Sequence, residues 1–186
     1  MRGKGITGNP NPKAGIRRVS AKELAALHKE AFQWALHLTG YDAAEAEDLV
    51  QTAYLRVLDG SAIFRGESAL KTWLFAIIRN VGRELDRSKE RRRHLLRTWG
   101  NALSADMQGA GINDVELEIS EQTKTVLNAI VKLPARQREL VGLVFFRDLS
   151  IAEAAQVIGV SIGSARTHYE RAKKSLAQYL EGMQEK

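Results

Sequence analysis

Apolar residues recur along this chain at intervals of three and four, the period of a helix with one buried face, and nowhere alternate with polar residues as a half-buried strand requires. Ser20 and Glu23 supply a capping box, and the stripe Leu24, Leu27, Ala31, Trp34, Ala35 and Leu38 follows until Gly40 ends it. Asp42 opens a second helix, with Ala46, Leu49, Val50, Ala53, Tyr54 and Val57 inside and Gly60 as its stop. After the loop SAIFRGES, Ser68 is placed to cap a third and longer helix whose inner positions are Leu70, Trp73, Leu74, Ile77, Ile78, Val81 and Leu85.

The pattern then fails. Between residues 98 and 113, Gly100, Gly109 and Gly111 lie among small and polar residues without an apolar period, which reads as a linker. A fresh helical pattern starts near Asp114 and runs through Val126, Leu127, Ile130 and Leu133. Pro134 opens the next helix, where a missing amide donor costs least, and Leu140, Val141, Leu143, Val144 and Phe146 give it a core face. The expected fold is all-α: a flexible basic tail (1–19), two small helical domains (20–97 and 114–186) and a flexible acidic linker (98–113) between them.

The C-terminal domain ends in LSIAEAAQVIGVSIGSARTHYERAKK (149–174), which reads as a DNA-binding helix-turn-helix. Ser150 and Glu153 make a capping box, Ala155 is small enough for a close helix crossing, and Gly159 supplies the turn. Val160 and Ala165 point back into the crossing, and Ser161 caps a second helix running to about Leu180. With Ala165, Tyr169, Ala172 and Leu176 on the buried stripe, Gly163, Thr167, Arg171 and Lys174 face outward, flanked by Ser164, Arg166 and Lys173. Hydroxyls and cations of this kind contact phosphates and base edges.

Charge sharpens the picture. The net charge of +6 suggests a polyanionic partner, but its distribution is the more informative quantity. Residues 1–22 carry cations and no acid. Residues 42–59 hold Asp42, Glu45, Glu47, Asp48 and Asp59 against Arg56 alone. The sign reverses to strongly basic over 79–97, then to acidic without a cation over 98–122. Alternating blocks suggest separate surfaces for separate partners.

Catalysis finds no foothold. The chain has no cysteine, its four histidines show no ligand pairing with carboxylates, and neither a phosphate-binding glycine loop nor a nucleophile elbow is present. No catalytic residue, cofactor or metal site is therefore assigned. No apolar run reaches membrane-spanning length and the basic tail lacks an apolar signal core, so a cytoplasmic protein without membrane insertion is expected.

Taken together, these segments resemble the bacterial RNA polymerase sigma factors, in particular the two-domain extracytoplasmic-function group. AEAEDLVQTAYLRVL (44–58) is similar to that family's polymerase-binding helix, and KTWLFAIIRNVGRELDRSKERRR (71–93) to its promoter-melting and minus-ten segment. LPARQREL (133–140), with the helix-turn-helix after it, is similar to its minus-thirty-five reader. The resemblance implies an alternative initiation factor that binds core RNA polymerase, directs it to promoter DNA and assists strand opening, with no active site of its own. It implies core polymerase contacts at Glu47, Asp48, Gln51 and Leu55. It places minus-ten contacts at Phe64, Arg65 and Ser68 in a base-capturing loop and at Asn80, Arg83, Arg87 and Lys89 along the next helix. Trp73 is either a base-stacking platform or a core residue. Minus-thirty-five contacts fall to Ser164, Arg166, Thr167, Arg171 and Lys174. Family members usually carry an acid after the DLVQ run, where this chain has Thr52; the choice is between neutral variation and a phosphosite that restores negative charge. Control by an anti-sigma factor or by a Ser/Thr kinase is open on the residues alone. Two other readings compete: a conventional dimeric repressor or activator using the same helix-turn-helix, and a sigma-like decoy that binds regulators without DNA. The first leaves the acidic helix and the WLFAIIRN segment without a task, and the second leaves Arg166, Arg171 and Lys174 without one.

Overall fold

The structure is a computed structural model and describes residues 16–99 and 121–184. Eight helices and no strand are found among the described residues: α1 Ala21–Ala26, α2 His28–Leu38, α3 Ala43–Leu58, α4 Leu70–Trp99, α5 Glu121–Val131, α6 Ala135–Arg147, α7 Ile151–Ile158 and α8 Ile162–Gln184. Of the linker expected over 98–113, residues 98 and 99 continue α4 and the rest lies outside the described residues, as do residues 1–15 of the expected flexible tail and the expected start of a helix near Asp114; residues 16–19 of that tail are instead packed, with Arg17 bridged to Phe64 and Val19 buried.

Most boundaries follow from their caps. The Ser20–Glu23 capping box starts α1, and the Asp42 carboxylate accepts the Glu45 amide at 2.9 Å to start α3. Beyond α2, Gly40 takes φ +67° and the Tyr41 amide reaches back to the Leu36 carbonyl at 2.8 Å, a Schellman closure. Three expectations change. The first predicted helix comes as two, because at Leu27 the amide bonds the Leu24 carbonyl at 3.1 Å while the Tyr54 hydroxyl donates to that same carbonyl at 3.3 Å, interrupting the ladder. Ser68 does not cap α4; its hydroxyl donates to the Ala69 carbonyl at 3.2 Å, and the helix begins two residues later. Pro134 sits at the N-cap of α6 rather than inside it, offering its carbonyl to the Gln137 and Arg138 amides.

Trp34 of α2 lies at the centre of the N-terminal half, fully buried, its indole N–H donating to the Phe75 carbonyl at 3.1 Å. Leu49, Val50 and Ala53 from α3 and Leu74, Ile78 and Val81 from α4 close around it. In the C-terminal half α6, α7 and α8 pack through Leu140, Leu143, Ala155, Ile158 and Ala165, with a smaller cluster of Ile130, Leu133, Val141 and Ala172 beside them.

The halves pack on each other, α4 against α7 and α2 against α6. The join is polar as well as apolar. Arg79 of α4, 5% exposed, holds Glu139 of α6 through Nε at 2.9 Å and Nη2 at 2.8 Å. Arg147 donates to the Gln33 side chain and main-chain oxygens at 2.8 and 3.0 Å. Gly142 of α6 lies against the His37 ring: a Cβ there would fall 2.7 Å from Nε2.

Candidate nucleic-acid interface

Local rules build the helix-turn-helix. Ser150 and Glu153 satisfy one another's backbone amides at 2.9 and 3.2 Å, Gly159 adopts φ +68°, and the Ser161 hydroxyl accepts the Ser164 amide at 3.1 Å. Ala155 and Ala165 are both buried, so α7 and α8 cross closely. Gly163, Ser164, Arg166, Thr167, Arg171 and Lys174 are all exposed on one side of α8, whereas Ala165 and Ala172 are shut in. Its donors are not equally free. The Thr167 hydroxyl bonds the Gly163 carbonyl at 3.1 Å, and Lys173 pairs with Glu170 at 3.0 Å and lies over Tyr169.

In the N-terminal half the SAIFRGES loop is pinned at its middle. Phe64 is 5% exposed, its ring 5.3 Å from that of the half-buried Trp73, while Ile63 and Arg65 on either side face outward. Phe64 and Trp73 thus pack on each other. Asn80, Arg83 and Arg87 stand exposed on α4, and Lys89 reaches across to Glu45 of α3 at 2.6 Å.

The acidic helix shows a mixed face. Glu47, Asp48 and Gln51 are exposed, with Gln51 donating to Glu47 at 3.4 Å, and Leu55 leaves 66% of its surface in solvent. Thr52 is half-buried. Asp48, Gln51, Thr52 and Leu55 line one wall of a cleft of about 670 Å³ whose other walls include Arg79 and Arg83 of α4 and Ala135, Arg138 and Glu139 of α6.

Sequence reasoning missed the groups that join the halves. Arg79 ends the apolar run WLFAII, and a cation ending a buried run points to a paired charge, although nothing in the sequence names Glu139 as its partner. His37 is held largely neutral, its pKa pushed down to about 4 first by burial and then by the nearby Arg147 and Arg138 cations.

Residues 24–93 match the family model for Sigma-70 region 2, and residues 117–176 match that for Sigma-70, region 4. Over 147 residues the chain is 31% identical to the ECF RNA polymerase sigma factor EcfG of Rhodopseudomonas palustris (strain TIE-1), covering 79% of this chain and 77% of that protein. The chain belongs to the ECF RNA polymerase sigma factors. It is also 27% identical to the ECF RNA polymerase sigma factor SigX of Bacillus subtilis (strain 168), over 85% of this chain and 81% of the relative. Among solved structures, the sigma factor RpoE in its co-crystal with the anti-sigma factor NepR from Bartonella quintana matches with a TM-score of 0.60 and 27% identity, over 86% of this chain and 95% of that one. Region 2 thus holds the acidic helix, the pinned loop and the basic helix, and region 4 holds the helix-turn-helix of this alternative sigma factor of transcription initiation. Among the described residues no helix is long and apolar enough to cross a membrane.

Proposed function

We propose that this sigma factor acts by binding alone, without catalysis: residues 20–97 dock on core RNA polymerase and read and open the minus-ten element, and residues 114–186 read the minus-thirty-five element. The observation that carries this reading is the presentation of α8, whose Ser164, Arg166, Thr167, Arg171 and Lys174 all face solvent while Ala165 is sealed in the crossing with α7 and Ala172 is buried. Arg166, Arg171 and Lys174 enter the groove, with Ser164 and Thr167 beside them. Arg65, Ser68, Asn80, Arg83, Arg87 and Lys89 serve the minus-ten strand, and Phe64 and Trp73 serve it by supporting the loop from within. Glu47, Asp48, Gln51 and Leu55 form the polymerase-facing stripe, where charge orients the encounter and Leu55 adds apolar area. Because α6 walls the cleft beside that stripe, polymerase docking draws region 4 away from region 2. Regulation falls to an anti-sigma protein or to a kinase acting on Thr52, and the cytoplasm is where polymerase and promoter are met.

Run-off transcription with bacterial core polymerase on DNA upstream of this protein's own gene tests the proposal. Promoter-specific transcripts that depend on the added protein are expected. Tight binding of a palindrome by the protein alone, with no transcripts, makes it a conventional regulator instead.

A further inference from the structure

The chain just ahead of α1 does not pass by the minus-ten loop; it is fastened to it. The Arg17 amide donates to the Phe64 carbonyl at 3.2 Å, an isolated antiparallel bridge. The Arg17 guanidinium lies over the Phe64 ring, 5.2 Å from its centroid, and its Nη1 meets Glu23 Oε1 at 2.7 Å. Glu23 is itself fixed, because its other carboxylate oxygen accepts the Ser20 amide and hydroxyl, each at 2.9 Å. Two residues on, Val19 is buried in the same core as Phe64. Phe64 is therefore in contact with both Arg17 and Trp73.

We propose that Ile16–Val19 is a strap that sets the shape of the 61–68 loop, with Arg17 as a positioning residue for the loop's choice of promoter base. The physical argument is alternation. Pairing Phe64 in extended conformation against Arg17 sends the Phe64 side chain inward and its neighbours Ile63 and Arg65 outward, as both are found. Gly66, at φ +71°, then turns the chain back toward α4. A loop pinned at one interior residue presents its outer residues in one arrangement, and selecting one base over another requires such a fixed arrangement. Without Arg17, the Phe64 ring loses its cationic cover and the strap loses its tie to Glu23. The backbone pairing of Arg17 with Phe64 and the buried Val19 then remain to hold the strap. The inference rests on the reading that this loop captures a promoter base.

The test uses holoenzyme assembled from the full chain and core polymerase, transcribing a promoter library randomised through the minus-ten element, with transcripts sequenced. For Arg17→Ala, the preference at one or two adjacent minus-ten positions is expected to flatten by about three- to tenfold, the combined worth of a partly exposed cation–π contact and ion pair. Preferences in the minus-thirty-five element and affinity for core polymerase stay as in wild type. Arg17→Lys, which keeps a cation able to reach both Phe64 and Glu23, recovers part of the preference. A uniform loss at every position overturns the proposal and makes Arg17 a phosphate contact or a mere stabiliser; an unchanged profile overturns it as well. If Arg65→Ala and Ser68→Ala shift minus-ten preference while Arg17→Ala does not, the strap fails and the loop reading survives. If wild type shows no minus-ten preference at all, both fail together.

Discussion

Arg171 and Lys174 leave α8 with no acid paired to them among the described residues, whereas Lys173 is held by Glu170 and covers Tyr169. That difference separates groups free to meet DNA from one already engaged. Arg171→Ala is expected to weaken use of the minus-thirty-five element by about 1 to 3 kcal/mol if the guanidinium reads a base, with the loss confined to matched elements. Should it touch only a phosphate, matched and scrambled elements lose alike and the salt slope falls by about one. Competition binding of holoenzyme at several salt concentrations tells the two apart. Thr52 asks a similar question of the other half. It is half-buried in the cleft between α3, α4 and α6, one turn from Asp48. If docking on polymerase depends on negative charge, Thr52→Glu raises affinity for core by up to about 1 kcal/mol, less at high salt, and Thr52→Ala leaves it unchanged. Equal affinity for all three proteins at two ionic strengths marks Thr52 as ordinary variation.

Between elements, the local code was legible and the tertiary choices were not. Ser20, Asp42, Ser150, Ser161 and Gly159 do what their positions in sequence require, because a cap involves only a few neighbouring residues. The break at Leu27 depends on a hydroxyl from Tyr54, thirty positions beyond the Leu24 carbonyl that it bonds, and no periodicity encodes that. Exposure of the α8 face followed from its buried stripe, whereas Phe64 turned inward because Arg17 and Trp73 cover it, contacts that only the folded chain brings together. Arg79 and Glu139, too, meet only in the folded chain. Removing one member of so buried a pair leaves the other charge uncompensated, at a cost of roughly 3 to 5 kcal/mol, whereas replacing both by apolar residues is often neutral. Arg79→Ala is therefore expected to lower the urea midpoint clearly, and Arg79→Met with Glu139→Leu to restore most of it. A double variant no better than the single one would show that the loss comes from the missing pair itself and not from an uncompensated Glu139 charge. Gly142→Ala probes the same join from its apolar side. Its Cβ would meet the His37 ring at 2.7 to 3.1 Å, and relieving that overlap is expected to cost about 1 to 3 kcal/mol.

For the whole molecule, the packed halves pose a conflict with the proposed task, since the cleft that holds Asp48, Gln51, Thr52 and Leu55 is walled by α6 of region 4. The join is of the kind that separates: charged and amide groups take part in it, and Arg147 Nε is buried there without a hydrogen-bond partner among the described residues. His37 gives it a pH dependence whose sign is fixed. Its pKa in the packed form, about 4, lies below the ordinary 6.5. The packed form therefore favours the neutral ring, and its stability is intact above about pH 6.5 and drains away as pH falls toward 4. Protonation would place a third cation beside Arg147 and Arg138 in a site with little water. Because the chain has no cysteine, Lys29→Cys on α2 and Gln178→Cys on α8, both exposed, accept a donor and an acceptor dye without interference. Energy transfer between them is expected to fall from pH 7.5 to pH 5, with the open-to-packed ratio rising by as much as about tenfold per pH unit in that window. Core polymerase added at pH 7.5 should lower the transfer in the same direction. In a His37→Gln background the pH response should flatten while the response to polymerase remains. A pH course identical in the two backgrounds would assign the titration to other groups, and undiminished transfer in the polymerase complex would mean that region 4 stays on region 2 while the factor works.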